Sequence, residues 1–155
     1  MEAVKTVGVY GLGRFGVFWA EELARHGFDV VAYSRSSKAT PTGVRLVSED
    51  EVLTASALFY CVSISSFEGV LERTASRIGK ETVVMDTCSV KLHPAEVMRR
   101  VLGDEIECIA THPMFGPDSG KYGVEGLPMI LDRVRCSDET FRWWSEEFAR
   151  WGLKV

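Results

Sequence analysis

The feature that most constrains the fold of this chain is the regular alternation of short, apolar, strand-like segments with segments of helical periodicity. A helix between two strands favours parallel pairing, because it carries the chain back to the starting edge of the sheet. The alternation runs through all 155 residues. It predicts an α/β fold with a doubly wound, mostly parallel sheet and helices on both faces.

Individual elements follow from apolar periodicity and from the residues that begin and end helices. The predicted strands are residues 4–10, 28–33, 44–47, 57–62, 82–86, 106–110 and 128–131, with the start of another at 153–155. The predicted helices are residues 14–26, 49–56 and 67–78, one that includes Pro94 and reaches about residue 102, and a last one capped by Ser137. Phe141, Trp144, Phe148 and Trp151 recur at helical spacing on that last helix, which indicates a core or interface face.

Size and charge limit the classes of function. With 155 residues, 46% of them hydrophobic, the chain has room for a single domain with a sizeable core. No apolar run approaches the ~18 residues of a membrane span and the N-terminus lacks a secretory pattern, so we expect a cytoplasmic protein. A net charge of -4 without a basic stripe argues against general affinity for nucleic acid or anionic membrane. We expect small molecules or other proteins as partners.

The cysteines Cys61, Cys88, Cys108 and Cys136 lie singly in or beside apolar runs. Their spacing lacks the short pairs typical of zinc sites and redox centres, so we expect reduced, mostly buried thiols and no bound metal. Cys88 lies in a polar turn beside Ser89. We expect it to be an inert neighbour of the site rather than a nucleophile.

A glycine-rich turn joins the first predicted strand to the first predicted helix. Its residues, Gly11-Leu12-Gly13-Arg14-Phe15-Gly16, have the G-x-G-x-x-G spacing of dinucleotide sites. In this context Gly11 makes the tight turn, Gly13 admits the pyrophosphate and Gly16 lets helix and strand pack closely. The helix N-terminus offers N–H groups and partial positive charge to the phosphates. The motif predicts a Rossmann-type dinucleotide site; the alternative is a tight turn without a ligand.

The end of the second predicted strand indicates which nicotinamide cofactor is used. An NAD site carries Asp or Glu there to bind the ribose hydroxyl, whereas this chain continues with Ser34, Arg35 and Ser36, and then Lys38. Arg35 suits a 2'-phosphate through charge-assisted hydrogen bonds, and the serines add donors. We predict NADP rather than NAD; the alternative is a solvated loop whose arginine contacts nothing.

Other turns at the carboxyl ends of predicted strands complete the candidate site, because ligands of open α/β sheets bind at that edge. Val62, Ser63 and Ile64, at the end of the buried fourth strand, are further cofactor-binding candidates. The turn of residues 86–91 and the loop that begins at Thr111 follow the next two strands, so we expect Ser89 and His112 to meet near the nicotinamide. A histidine can accept a proton near neutral pH. Taken alone, however, His112 is more typical of a structural histidine in a loop.

These motifs resemble those of the prephenate and arogenate dehydrogenases of tyrosine biosynthesis. The resemblance rests on the glycine turn, Ser34-Arg35-Ser36, residues 86–91 and, most specifically, residues 111–120, Thr-His-Pro-Met-Phe-Gly-Pro-Asp-Ser-Gly. It extends along essentially the whole chain and is closest to the plant-type arogenate branch. It implies NADP-dependent oxidative decarboxylation of a cyclohexadienyl substrate, in which hydride passes to NADP and carbon dioxide leaves as the ring becomes aromatic.

The resemblance also implies roles for three side chains. His112 hydrogen-bonds the ring hydroxyl and accepts its proton as a carbonyl develops. Ser89 helps to hold the histidine, the substrate and the nicotinamide in register. Lys91 steadies its turn or lends positive charge.

Members of this family continue into a helical domain that dimerises and supplies cations for the substrate carboxylates. The resemblance implies that residues 1–155 correspond to the dinucleotide-binding domain without that part. One interpretation is an enzyme, or the nucleotide half of one, completed by a second chain or by homodimer formation. A second is a regulatory NADP-binding module without turnover, and a third is a different reductase of the same architecture. The sequence leaves open whether arogenate or prephenate is the substrate.

Overall fold

A seven-stranded sheet forms the centre of the molecule in the computed structural model, which describes residues 4–36 and 38–155. The strands are β1 Thr6–Tyr10, β2 Asp29–Tyr33, β3 Val44–Leu46, β4 Ala57–Tyr60, β5 Val83–Asp86, β6 Cys108–Pro113 and β7 Met129–Arg135. Their order is β3-β2-β1-β4-β5-β6-β7, and only the pair β6 and β7 is antiparallel among the described strands. The first six strands thus have the order of a Rossmann sheet, which confirms the predicted fold class.

Helices cover both faces of the sheet. The helices are α1 Arg14–Arg25, α2 Glu49–Val52, α3 Ile64–Thr74, α4 Leu92–Val101 and α5 Asp138–Arg150, and a 3-10 turn, Ala75–Arg77, follows α3. The apolar residues of α1 and α5 belong to the core on one face, and those of α2, α3 and α4 to the core on the other. In the part of the chain described, no helix has both the length and the apolar character that crossing a membrane requires.

Alternation along the central strands divides the apolar residues between the two cores. In β1, Val7 and Val9 belong to the core beneath α1 and α5, whereas Tyr10 belongs to the opposite core. In β5, Met85 and Val84 divide in the same way. Both faces of a central parallel strand are therefore buried, which explains why these strands contain almost no polar residues.

Aromatic rings fill the core between the sheet and the helices α1 and α5. Trp19, Trp144 and Phe148 are fully buried. The ring of Phe59 on β4 lies edge-on to both indoles, with centroid separations of 5.5 Å from Trp19 and 5.7 Å from Trp144. The aromatic face predicted on the last helix is thus confirmed as core, although Phe141 is only half-buried.

Local signals fix the ends of the two helices on this face. The hydroxyl of Ser137 accepts a hydrogen bond from the backbone N–H of Thr140 at 3.1 Å, so the predicted cap of α5 is confirmed. Helix α1 ends at Arg25, and Gly27 follows with φ of +95°. That left-handed conformation favours glycine and lets the chain turn directly into β2.

Two helices differ from their predicted bounds. Helix α2 ends at Val52 rather than at residue 56, because the N–H of Ser56 donates to the carbonyl of Thr6 at 2.9 Å and so begins the path into β4. Helix α3 begins at Ile64 rather than at residue 67, directly after the extended residue Ser63. The apolar pattern alone placed the start of α3 at Phe67, its first fully buried residue.

The most consequential correction concerns residues 111–113, which we predicted to begin a loop. They instead belong to β6, where Thr111 pairs with Leu131, His112 with Ile130 and Pro113 with Met129. The partner strand β7 supplies hydrogen bonds that keep β6 extended beyond the predicted end at residue 110. His112 is therefore a strand residue, and the loop proper is confined to residues 114–128.

Candidate active site

The glycine turn lies against the ends of two neighbouring strands. Gly11 has φ of +104°, a conformation that a side chain would strain, and its N–H donates to the carbonyl of Tyr33 at 2.9 Å. A Cβ atom at Gly11 would approach the carbonyl oxygen of Cys61 to 2.5 Å. The turn therefore requires glycine at this position for both its conformation and its packing.

The other two glycines of the motif have opposite surroundings. A Cβ atom at Gly16 would overlap the carbonyl oxygen of Gly11, so α1 can approach β1 only because Gly16 lacks a side chain. A Cβ atom at Gly13 would meet nothing within 4 Å. Gly13 is therefore not required by the packing of the described chain, and its open space is suited to a ligand that approaches the backbone closely.

The N-terminus of α1 is available to an anion. Gly13 is the N-cap residue and supplies no side-chain cap, and the first turn contains no acidic residue. The side chain of Leu12 is buried, and the ring of Phe15 stacks on that of Trp19 with centroids 5.8 Å apart. Leu12 and Phe15 can thus contribute to a phosphate site only through their backbone.

A cleft of about 330 Å³ opens beside the glycine turn. Its walls come from the turn itself, the segment after β2, the end of β4 and one face of α3. The predicted residues that line it are Gly11, Leu12, Gly13, Ser34, Arg35, Ser36, Lys38, Val62 and Ser63. The other described lining residues are Tyr10, Tyr33, Cys61, Ser66, Val70 and Arg73. The predicted candidates Arg14, Phe15, Gly16 and Ile64 lie outside this lining, and Ile64 is 41% exposed at the start of α3.

The charged side chains described in the lining of the cleft are all positive. Arg35, Lys38 and Arg73 are its cationic lining residues, and no carboxylate is among the lining residues that the structure describes. Strand β2 ends at Tyr33 and is followed by Ser34, Arg35 and Ser36, so the segment where an NAD site carries Asp or Glu has no acidic residue. The cleft therefore favours an anionic ligand. Arg73 was absent from the candidates because it lies far along the chain from the other two cations.

A buried carboxylate organises the other half of this edge of the sheet. Asp86, the last residue of β5, is fully buried, and it accepts hydrogen bonds from the N–H groups of Cys88 and Thr111, each at 3.1 Å. Lys91 donates to the Asp86 carboxylate and also to the carbonyl oxygen of Thr111. Burial raises the pKa of Asp86, and the ammonium of Lys91 opposes this effect. Asp86 and Lys91 therefore tie the turn after β5 to the end of β6.

His112 lies one residue beyond this connection, and its side chain is half-buried. Burial lowers the pKa of its imidazole, the positive charge of Lys91 lowers it further, and the negative charge of Asp86 acts in the opposite direction. The imidazole is therefore predominantly neutral at pH 7, and it is able to accept a proton.

Ser89 is exposed in the turn after β5. No hydrogen bond between Ser89 and His112 occurs in the described part of the molecule. Sequence reasoning thus placed both residues at the correct edge of the sheet, whereas their expected direct contact is not present. The register of the parallel strands places both residues at one edge. Tyr10 pairs with Tyr60, Tyr60 with Asp86, and Asp86 with Ala110, so these strands end side by side.

The cysteines near the site have little nucleophilic character. Burial raises the pKa of Cys88 to about 11 and that of Cys61 to about 12. A thiol is reactive chiefly as its thiolate, which is scarce at pH 7 for both residues. These surroundings agree with the prediction of Cys88 as an inert neighbour. All four cysteines are free thiols.

The loop of residues 114–128 returns across the N-terminal half of α1. Phe115 is buried with its ring centroid 6.2 Å from that of Phe18 and 6.0 Å from that of Trp19. At the surface, the guanidinium of Arg14 forms two hydrogen bonds with the carboxylate of Asp118, at 2.6 and 3.0 Å. The loop that follows His112 therefore contacts the same helix that begins in the glycine turn.

Known proteins resemble this chain in both sequence and structure. Residues 19–128 match the model of the prephenate dehydrogenase nucleotide-binding domain. The chain is 36% identical over 143 residues to arogenate dehydrogenase 2, chloroplastic, of Arabidopsis thaliana, which covers 88% of this chain and 40% of the relative. It is also 36% identical over 136 residues to arogenate dehydrogenase 1, chloroplastic, of the same plant, with coverage of 83% and 21%. The chain thus spans less than half the length of these relatives.

Solved structures share the fold at lower sequence identity. The crystal structure of Synechocystis arogenate dehydrogenase superposes with a TM-score of 0.81 at 22% identity, covering 97% of this chain and 58% of that one. Prephenate dehydrogenase from A. aeolicus, in complex with hydroxyphenyl propionate and NAD+, gives a TM-score of 0.76 at 16% identity, with coverage of 99% and 59%. At these identities the likeness concerns the fold.

The contrast between Gly13 and Gly16 gives a first prediction. We expect Gly16→Ala to lower the free energy of unfolding by about 3 kcal/mol or more, because the added methyl group meets backbone rather than a movable side chain. We expect Gly13→Ala to change it by less than about 1 kcal/mol and to weaken dinucleotide binding. Urea denaturation and cofactor titration measure the two effects. Equal destabilisation by both substitutions would contradict the geometry.

The lowered pKa of His112 predicts how stability depends on pH. Below pH ~6.5 the unfolded chain binds a proton at this residue more readily than the folded chain does, so its contribution reduces stability as the pH falls. Above pH ~7.5 both states are neutral at this residue and the contribution is constant. We expect urea denaturation at pH 7.5 and 5.5 to show a larger loss for the unmodified chain than for His112→Asn. The same loss in both proteins would argue against a lowered pKa.

Proposed function

The chain belongs to the prephenate and arogenate dehydrogenase family through its nucleotide-binding domain, and from this premise we propose that it takes part in the NADP-dependent oxidative decarboxylation of arogenate or prephenate. The products are a 4-hydroxyphenyl compound, carbon dioxide and reduced NADP. This reaction places the protein in tyrosine biosynthesis.

The observation that carries the proposal is the shared edge of the sheet. The glycine turn follows β1, the Ser89 turn follows β5, and His112 lies at the end of β6. Three strand spacings separate β1 from β6, which is about 14 Å across the sheet. The backbone of the glycine turn would hold the pyrophosphate of a dinucleotide, and this shared edge would allow the nicotinamide end to reach the histidine.

His112 acts as the general base in this proposal. Its neutral imidazole accepts a hydrogen bond from the substrate ring hydroxyl and then accepts the proton as the hydroxyl becomes a carbonyl. Loss of that proton makes the carbon that bears the oxygen a better hydride donor. NADP, when bound, supplies the hydride acceptor. Release of carbon dioxide then makes the ring aromatic, which opposes the reverse reaction.

Lys91 and Ser89 have different supporting roles. Lys91 is committed to Asp86 and to the carbonyl of Thr111, so it holds the strand that bears His112. It is consequently not available to bind a substrate carboxylate. Burial lowers the pKa of the imidazole, and the charge of Lys91 adds to this effect. Ser89 is exposed at the neighbouring turn, and its hydroxyl would be able to donate or accept a hydrogen bond with a bound substrate or nicotinamide.

NADP is the cofactor that the cleft favours. Arg35, Ser34 and Ser36 line it after the end of β2, where the chain has no acidic residue to repel a 2'-phosphate. No ion pair occupies Arg35 or Lys38 in the described part of the molecule.

The cations that bind the substrate carboxylates are proposed to come from a second chain or a second copy of this one, because the cations near His112 are engaged. Lys91 is engaged, Arg14 pairs with Asp118, and the ammonium of Lys121 lies over the ring of Tyr122. The plant relatives extend well beyond the matched region. We propose that a second chain or a homodimer completes the site. A regulatory NADP-binding module is the competing function, favoured by the engagement of these cations.

Turnover separates the enzyme from the module. We expect absorbance near 340 nm, where reduced nicotinamide absorbs, to rise when NADP is mixed with the protein and arogenate or prephenate. We expect His112→Asn to lower turnover roughly 100- to 10,000-fold with little change in NADP affinity, because the general base is lost and the cofactor cleft is not altered. An unchanged rate would remove His112 from this role. Tight NADP binding without any turnover would favour the module.

Cofactor preference gives a separate prediction. We expect Arg35→Met to weaken NADP binding by about 10- to 100-fold and to leave NAD binding unchanged, because only the 2'-phosphate loses a charged partner. Arg45→Met is the control, since Arg45 pairs with Asp29 and does not line the cleft. Fluorescence titration with both cofactors measures the ratio. An equal loss for NADP and NAD would contradict the assignment of Arg35 to the phosphate.

A further inference from the structure

Arg73 lines the cleft, although no sequence motif indicated this residue. It lies on α3 with Ser66 and Val70, at spacings of four and three residues that place all three on one face of the helix. This face forms the side of the cleft opposite the segment after β2, because α3 follows β4 whereas Arg35 follows β2. A ligand in the cleft therefore lies between Arg35 and Arg73.

The guanidinium of Arg73 is held at two of its nitrogen atoms. Nη2 donates to the hydroxyl of Tyr10 at 3.0 Å, and Nη1 donates to the carboxylate of Glu49 at 3.1 Å. The Tyr10 hydroxyl in turn donates to Glu49 at 2.5 Å, which closes a three-membered network. Burial raises the pKa of Glu49, but its contacts with Tyr10, Arg77 and Arg73 outweigh this effect and lower the pKa to about 2, so the carboxylate remains charged at neutral pH. Two nitrogen atoms of the guanidinium are thereby restrained before any ligand binds.

The charge of Arg73 is already balanced. Glu49 also pairs with Arg77, and Arg77 pairs with Asp50, so two cations face two anions within this group. Arg35 and Lys38, by contrast, have no such described partner. A phosphate entering the cleft is therefore attracted to Arg35 and Lys38 rather than to Arg73. What Arg73 retains for a ligand is its planar surface, since its side chain is 52% exposed.

We propose that Arg73 is a cofactor-affinity residue that contacts the face of the adenine ring, with Tyr10 and Glu49 as the positioning residues that fix its guanidinium plane. Planar guanidinium groups stack on aromatic faces and lose little freedom when they are already oriented. The proposal rests on the proposed function in that the cleft must bind a dinucleotide. It assigns the 2'-phosphate to Arg35 and the adenine to Arg73.

The test distinguishes the positive charge of Arg73 from its planar guanidinium group and from its ion-pair network. In it, 5'-ADP and 2',5'-ADP are titrated into the unmodified protein, Arg73→Met, Arg73→Lys and Arg77→Met. We expect Arg73→Met to weaken both nucleotides by the same factor, about 5- to 30-fold. We expect Arg73→Lys to lose nearly as much, because it keeps the charge and loses the plane. Arg77→Met is the matched control: Arg77 shares the partner Glu49 but does not line the cleft, so we expect a change within about twofold.

Each contrary outcome has a distinct meaning. Full affinity in Arg73→Lys would show that the charge suffices and would overturn the stacking role, as would a loss confined to 2',5'-ADP. Equal losses in Arg73→Met and Arg77→Met would reduce Arg73 to a structural residue. Failure of the unmodified protein to bind either nucleotide would instead overturn the proposed function, whereas binding that Arg73→Met leaves unchanged would overturn only this inference.

A second substitution tests the positioning residues. Tyr10→Phe removes one hydroxyl and keeps the ring that packs beside Tyr33 and Tyr60. We expect it to weaken 5'-ADP by a smaller factor than Arg73→Met, because the guanidinium keeps Glu49 but loses one restraint. In the Arg73→Met background, Tyr10→Phe should have no further effect. An additive loss in the double variant would show that Tyr10 acts independently of Arg73.

Discussion

The burial of Asp86 is the constraint on which the geometry of the proposed catalytic half, the region of Ser89 and His112, depends. A carboxylate removed from water is stable only where charge and hydrogen bonds compensate it, and Asp86 receives both from Lys91 and from the N–H groups of Cys88 and Thr111. Those donors come from the turn after β5 and from β6. The same contacts that satisfy the carboxylate therefore fix the two chain segments that present Ser89 and His112, and removal of one charge would leave the other buried and unpaired.

The edge of the sheet is divided by charge. Its cofactor half exposes Arg35 and Lys38 without a carboxylate among the described lining residues, and so offers uncompensated positive charge. Its catalytic half contains Lys91 and Asp86 as a compensated pair, and the residual effect of that pair is to lower the proton affinity of His112. In the proposed function, a phosphate group is thus attracted to one half, while the other half keeps a neutral base. The distance across β4 and β5 separates the two environments.

The features that could be predicted from the sequence are those specified by residues close together along the chain. Strand and helix alternation, the three glycines and the Ser137 cap all act within a few residues, and each appears in the structure. Prediction failed where a residue depends on a partner distant in sequence. His112 belongs to β6 because it pairs with Ile130, and no local pattern indicates that pairing. Arg73 was missed for the same reason, since its partners Tyr10 and Glu49 lie 63 and 24 residues away. Such contacts exist only once the sheet order has brought α2, β1 and α3 together.

The same aromatic core, between the sheet and helices α1 and α5, supports both halves of the site. Trp19 of α1 contacts Phe115, which follows the His112 strand, and it contacts Phe59 of the strand between them. Close-packed aromatic rings resist displacement, because any shift opens a cavity or forces overlap. A movement of α1 that changed the glycine turn would therefore be felt in the loop after His112, independently of the exposed pair of Arg14 and Asp118. The spacing between the cofactor turn and the histidine is accordingly set by the core rather than by surface charge, whose contribution is small in water.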